Sequence, residues 1–256
     1  MENMNEILQS FKSISLAEMD NVSLMDRYDR KYTFHTAWLP ELFHQLKNDY
    51  SILEVNHKRI CQYDSLYFDT PDLQLYHRHQ YGRGNRFKIR FRKYVESNIT
   101  FFEVKVKTNR ERTVKYRIKQ PDIAYSLQGE PAAFLEKQMP VKSSDFVPQL
   151  MISFNRITLV HQSLPERATI DVGLVSERNG NRYESNNLVI AEIKQNRTHR
   201  SSFAALLKQS HLLEGAVSKY CIGMINTVSG IRQNNFKPRL LQIRKIEHDT
   251  ASRPAR

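Results

Sequence analysis

The chain has 256 residues, 40% of them hydrophobic and 26% charged, which is enough to bury one full core. Its formal charge of +12 implies attraction for polyanions such as nucleic acid, anionic lipid or phosphate chains, and its two cysteines, Cys61 and Cys221, are too few for a disulfide framework. No apolar run approaches the roughly 20 residues needed to cross a bilayer, and the polar start Met1-Glu2-Asn3-Met4-Asn5-Glu6 lacks a signal-peptide pattern, so a soluble, cytoplasmic chain is expected.

Residues 1–22 are expected to form a helical extension, with Ile7, Leu8, Phe11 and Ile14 at near-helical spacing and packed on the domain itself. The main domain is expected over 23–236. Within it, Thr36 to Tyr50 reads as a surface helix, with Leu39, Leu42, Phe43 and Leu46 on one face and Pro40 in the first turn. Trp38 reads as an anchor of that helix. Further helices are expected around Pro131 to Met139 and around Ser201 to Leu213. Tyr81-Gly82-Arg83-Gly84-Asn85 has the glycines of a turn, and Arg178-Asn179-Gly180-Asn181 contains the Asn-Gly pair of a type I′ hairpin. His77 and His79 look like a solvated strand end, Tyr67 and Asp69 like a strand end before a turn. Residues 237–256 form a basic tail, disordered at its end.

Most of the remainder alternates with period two, so each strand separates into two faces. In Phe87-Lys88-Ile89-Arg90-Phe91-Arg92 the apolar residues fall on one face and Lys88, Arg90 and Arg92 on the other. Phe102-Glu103-Val104-Lys105-Val106-Lys107 sets Glu103, Lys105 and Lys107 apart in the same way, and Val114-Lys115-Tyr116-Arg117-Ile118 sets apart Lys115 and Arg117. Arg27, Asp29 and Lys31 share a face, as do Arg167, Thr169 and Asp171, and Glu192 with Lys194.

An open antiparallel sheet with one wet face gives the same alternation. Here, however, the polar faces repeat Lys and Arg with isolated carboxylates. Like charges facing across strands cost stability, so the repetition points to an anion that offsets the repulsion. The favoured fold is therefore α+β, a closed antiparallel barrel with helices packed outside and its charge focused in a water-filled tunnel.

Eight segments, in this order, resemble the VTC-domain polyphosphate polymerases, a branch of the triphosphate tunnel metalloenzymes. They are Arg27-Tyr28-Asp29-Arg30-Lys31-Tyr32, Ser65-Leu66-Tyr67-Phe68-Asp69-Thr70, Lys88-Ile89-Arg90-Phe91-Arg92, Phe102-Glu103-Val104-Lys105, Phe154-Asn155-Arg156, Arg167-Ala168-Thr169-Ile170-Asp171, Ile190-Ala191-Glu192-Ile193-Lys194 and Ser218-Lys219-Tyr220. The resemblance implies an eight-stranded antiparallel tunnel in which the γ-phosphate of ATP is transferred to a growing polyphosphate chain with a divalent metal. Carried over by position, it implies that Lys31, Lys88, Arg90, Lys105, Lys115, Arg156, Arg167 and Lys219 grip phosphate oxygens at the reacting centre. Arg27, Arg92, Lys107, Arg117 and Lys194 would extend the phosphate-binding surface. Glu192 is the leading candidate ligand for Mn2+ or Mg2+, followed by Glu103 and Asp171, for each of which an internal salt bridge is the competing role.

Those residue types suit the chemistry, because phosphoryl transfer through a loose transition state needs positioning and charge stabilisation more than a protein nucleophile. Hydrolytic tunnel enzymes resemble one another in an opening Glu-x-Glu-x-Lys strand. This chain has Arg27-x-Asp29-x-Lys31 there, which argues against a dedicated triphosphatase or cyclase. Cleavage of tripolyphosphate or nucleoside triphosphates is the first alternative. A non-catalytic polyphosphate-binding module, serving a membrane-protein partner, is the second. Specific nucleic-acid binding is disfavoured because the aromatics alternate onto the apolar face.

Overall fold

The structure, a computed structural model, describes residues 4–20, 27–108, 113–196 and 200–248. Its strands in chain order are β1 (Lys12–Ile14), β2 (Arg27–His35), β3 (Tyr50–Leu53), β4 (Cys61–Asp69), β5 (Arg86–Tyr94), β6 (Ile99–Lys107), β7 (Thr113–Gln120), β8 (Val147–His161), β9 (Glu166–Arg178), β10 (Asn181–Ser185) and β11 (Leu188–Asn196). The α-helices are α1 (Met4–Gln9), α2 (Leu16–Asp20), α3 (Leu39–Leu46), α4 (Gln74–Gln80), α5 (Gly129–Gln138), α6 (Ser202–Gln209), α7 (Lys219–Thr227) and α8 (Lys237–His248).

Eight strands form an antiparallel run in the order β2-β11-β9-β8-β4-β5-β6-β7. The sheet curls enough to bring Lys105 of β6 into the field of Lys31 on β2 and Glu192 on β11. Among the described residues no backbone pairing joins β2 to β7, so hydrogen bonds do not close the sheet into the expected barrel. The outer edge of β2 is met instead by a loop, where Gly215 N donates to Lys31 O at 2.8 Å and Glu214 bridges to Tyr32.

The period-two pattern dictates what lies outside. Ile157, Leu159, Ile170, Ala191 and Ile193 pack against Ile7 and Leu8 of α1, Leu42, Phe43 and Leu46 of α3, and Phe203 and Leu207 of α6. Phe87, Ile89, Phe91, Phe102 and Val104 pack against Leu135 of α5 and against Phe146. A third cluster fills one end of the concavity, where Tyr220 and Met224 of α7 meet Tyr67, Leu150, Ile152 and Phe154. The expected hairpin is present: Asn179 and Gly180, with φ of 47° and 80°, turn β9 into β10.

Two local expectations are corrected. His77 and His79 stand on α4, not on a strand, and His79 Nδ1 lies 3.1 Å from Cys221 Sγ. Residues 237–248, expected as tail, form α8, anchored by buried Leu240 and Ile243, and residues 249–256 lie outside the described residues.

Candidate active site

Strand register places nearly every expected cation on the concave face. Lys31 pairs across with Glu192, which in turn faces Thr169. Lys194 faces Arg167, and Asp171 faces Arg156. Cys61, Tyr63, Ser65 and Tyr67 of β4 line up with Arg156, Phe154, Arg92 and Arg90 on the flanking strands. Lys88 faces Lys105, which faces Lys115, and Glu103 lies between Arg90 and Arg117. Lys219 is not on a strand. It opens α7, whose N-cap Ser218 sets the helix start inside the concavity.

Each candidate carboxylate sits between two cations. Glu103 accepts from Arg90 Nη2 at 2.6 Å and pairs with Lys115. Asp171 accepts from Arg156 through Nε at 2.6 Å and Nη2 at 2.8 Å, and pairs with Lys219. Glu192 lies 2.8 Å from Lys31 Nζ and 3.2 Å from Lys194 Nζ. Lys88 donates to Ser218 Oγ at 2.9 Å, and Arg92 to Ser65 Oγ at 3.1 Å. A cavity of about 790 Å³ opens between the start of β2 and α7, lined by Asp29, Lys31, Lys88, Lys105, Lys107 and Ser218.

These neighbours set the ionisation. Burial raises all three carboxyls, but the cations win: Arg90, Arg92 and Lys115 hold Glu103 far below the usual carboxylate range, Lys194 and Lys31 do the same for Glu192, and Arg156 and Lys219 hold Asp171 at about 2. Burial pulls Lys115 and Lys194 down to about 8 despite their carboxylate partners, and it lowers Lys88, Lys105 and Lys219 as well. Tyr67 is pushed up by burial, yet Arg90, Arg92 and Lys88 bring its phenol to about 8.

A divalent ion fits this donor set in one way. No three His, Cys, Asp or Glu side chains among the described residues lie together, so no cage of protein ligands exists there. Glu103 and Asp171, with side chains 1% and 4% exposed, are sealed beneath their cations. Of the three, Glu192, at 18%, is the reachable one. A hard cation shared between one carboxylate and phosphate oxygens suits such a site.

Of the remaining expected residues, Lys107 lines the cavity, Arg167 stands beside Lys194 in the register, and Arg117 lies over the Phe101 ring at 4.5 Å. The Arg27 side chain lies outside the described ones. Asp69 is structural, as its sequence context implied: it accepts from the backbone N–H groups of Thr70, Leu75 and Tyr76 and from Tyr220 Oη. Tyr67 stands on the concave face, where Arg90 Nη1 donates to its oxygen at 2.8 Å. Tyr63, Tyr67, Tyr94, Phe101 and Phe154 also break the expectation that aromatics keep to the apolar face. Period-two parity in β4 carried that signal, but Tyr63 and Phe68 look alike in a sequence.

Of the solved structures, one supports the fold. The Hippeastrum protein HpAC1, a candidate adenylyl cyclase said to have a dominant triphosphatase activity, superposes with a TM-score of 0.52 at 12% identity, over 82% of this chain and 100% of its own. A candidate adenylate cyclase from Vibrio parahaemolyticus matches at 0.46 and 15% identity, over 77% of this chain and 99% of its own. No curated protein sequence matches. The VTC domain model matches residues 26–228, a span that contains every strand of the concave face together with Lys219, and the chain belongs to that family.

Proposed function

We propose that this chain is a polyphosphate polymerase that transfers the γ-phosphoryl group of ATP to the end of an inorganic polyphosphate chain. The observation that carries the reading is the concave face itself, where cations from β2, β5, β6, β7, β8, β9, β11 and α7 converge and Glu103, Asp171 and Glu192 are each engaged by cations. Such a surface offers many anion contacts along a path, which is what a linear phosphate chain requires.

In the transfer, a terminal oxygen of the acceptor chain forms a new bond to the γ-phosphorus while the bond from that phosphorus to the β,γ-bridging oxygen breaks, releasing ADP. Lys31, Lys88, Arg90, Lys105, Lys115, Arg156, Arg167 and Lys219 hold donor and acceptor in line and stabilise charge on the transferring oxygens. Glu192 together with phosphate oxygens would hold Mn2+ or Mg2+, which would supply charge neutralisation on the phosphates. Arg92, Lys107 and Lys194, with Arg27, would carry the phosphate contacts beyond the reacting centre.

The full chain incubated with ATP and Mn2+ or Mg2+ is expected to give long phosphate polymers on a gel, and Lys88→Ala or Arg90→Ala is expected to abolish them. Orthophosphate without polymer would instead select tripolyphosphate or nucleoside triphosphate hydrolysis. Tight polyphosphate binding without turnover would select a non-catalytic module. Either result overturns the polymerase reading.

A further inference from the structure

One end of the concave face carries side chains that phosphate binding does not need. Where β5 finishes and β6 starts, Tyr63, Tyr94 and Phe101 occupy the same face as the cations. Their rings form an edge-to-face chain, with centroids 4.8 Å apart from Tyr63 to Tyr94 and 6.0 Å apart from Tyr94 to Phe101. The exposed Arg117 lies over the half-buried Phe101 ring at 4.5 Å. The Tyr63 ring is part of a buried core cluster, whereas the half-buried Phe101 ring can donate no hydrogen bond to a phosphate oxygen, so a trough built for phosphate alone has no use for it there.

We propose that this platform is a nucleobase subsite. The base of the nucleoside triphosphate stacks on the outer face of the Arg117 guanidinium, which Phe101 supports from beneath, and the triphosphate then runs along β6 toward Lys105. Arg guanidinium planes and aromatic rings are the surfaces on which unpaired bases stack. The spacing agrees. Two residues along a strand cover about 7 Å, so the group formed by Glu103, Arg90 and Lys115 begins one such step from Phe101, and Lys105 and Lys88 follow one step further. A ribose fills the first step and phosphates the next. Arg117, grouped with the phosphate-binding cations by strand alternation, takes a different role here. Stacking accepts any π face, so the subsite holds adenine and guanine alike.

This inference rests on the phosphate-binding reading of the face, and titration calorimetry on the full chain separates the two. With tripolyphosphate and ATP as probes in one Mg2+ buffer, Phe101→Ala is expected to weaken ATP about tenfold. It is expected to leave tripolyphosphate within twofold, and Phe101→Trp to restore ATP affinity. Phe101→Leu, which keeps apolar volume and removes the π face, is expected to behave like Phe101→Ala and serves if the smaller side chain prevents folding. ATP and tripolyphosphate weakened equally, or ATP unaffected in both variants, would overturn the subsite while leaving the phosphate reading standing. Failure of the unmodified chain to bind tripolyphosphate would overturn the phosphate reading and the subsite with it.

Discussion

Replacing Asp171 by Asn removes one negative charge and leaves Arg156 and Lys219 facing each other with almost no change in shape. The carboxylate is 4% exposed and holds both cations, so the loss strands two buried charges. Removing one partner of a buried pair costs about 3–5 kcal/mol, and for a chain of this size each kcal/mol moves the melting temperature by roughly 2–4 °C. A fall of roughly 6–20 °C is therefore expected. Asp122→Asn is the control: Asp122 pairs with Lys93 but is 61% exposed, and such a pair is worth about 0–1 kcal/mol. Tripolyphosphate distinguishes the explanations further. At a hundredfold excess over Kd it stabilises any native state that binds it by about 2.7 kcal/mol, and in the Asp171→Asn chain it also supplies the missing counter-charge. Its thermal shift should then be larger than in the unmodified chain. Differential scanning fluorimetry with and without tripolyphosphate reads both quantities. An Asp171→Asn chain that melts with the Asp122→Asn control, or gains less from tripolyphosphate than the unmodified chain, would refute the reasoning.

Binding should also depend on pH. Lys115 and Lys194, at about 8, and the Tyr67 phenol, also at about 8, shift the face toward negative charge as pH rises through that value, so tripolyphosphate affinity measured calorimetrically should fall from pH 7 to pH 9. A flat profile would contradict the charge assignment. Fold stability moves the other way: between about 8 and the ordinary lysine value near 10.4 the unfolded chain binds more protons, so these lysines make the fold more stable as pH rises. The depressed carboxyls act at the acid end. Asp171, at about 2, with Glu103 and Glu192 also lowered, contributes stability that is present above about pH 4 and lost as pH falls toward 2, which acid titration followed by circular dichroism would show. Gly223→Ala tests the placement of α7. A Cβ there would stand 2.6 Å from Leu150 Cδ2 and 2.7 Å from Ser176 Oγ, so either those side chains give way or the helix shifts and carries Lys219 and Ser218 with it. About 1–3 kcal/mol of destabilisation is expected from the overpacking, with a disproportionate loss of nucleotide turnover.

Much of this site was visible in alternation, because strands such as β5 and β6 carry one apolar and one basic face and the core admits only the apolar one. Lys88, Arg90, Lys105, Lys115 and Lys194 were placed by that rule alone. The partners of the carboxylates were not, since whether Glu103 meets Arg90 or a metal ion depends on inter-strand register and side-chain reach, which no single strand encodes. β4 was opaque for another reason: Tyr63, Ser65 and Tyr67 alternate with Asp64, Leu66 and Phe68, and neither set is clearly the wet one. The absence, among the described residues, of backbone pairing between β2 and β7 also has no signature in either strand, as closure depends on the accumulated twist and tilt of the whole run.

The pairing of Glu103, Asp171 and Glu192 with two cations each makes the concavity behave like a loaded ion-exchange resin. Some of its fixed positive groups are already neutralised by carboxylates, while others, Lys88 and Arg92, donate to the Ser218 and Ser65 hydroxyls, so an incoming anion meets stations of both kinds. A single phosphate trades one contact for another. A chain of linked phosphates exchanges at several stations at once, and once the first is seated the others compete at high effective concentration. In the proposed role, a linear anion is held the more firmly the more of these stations it spans.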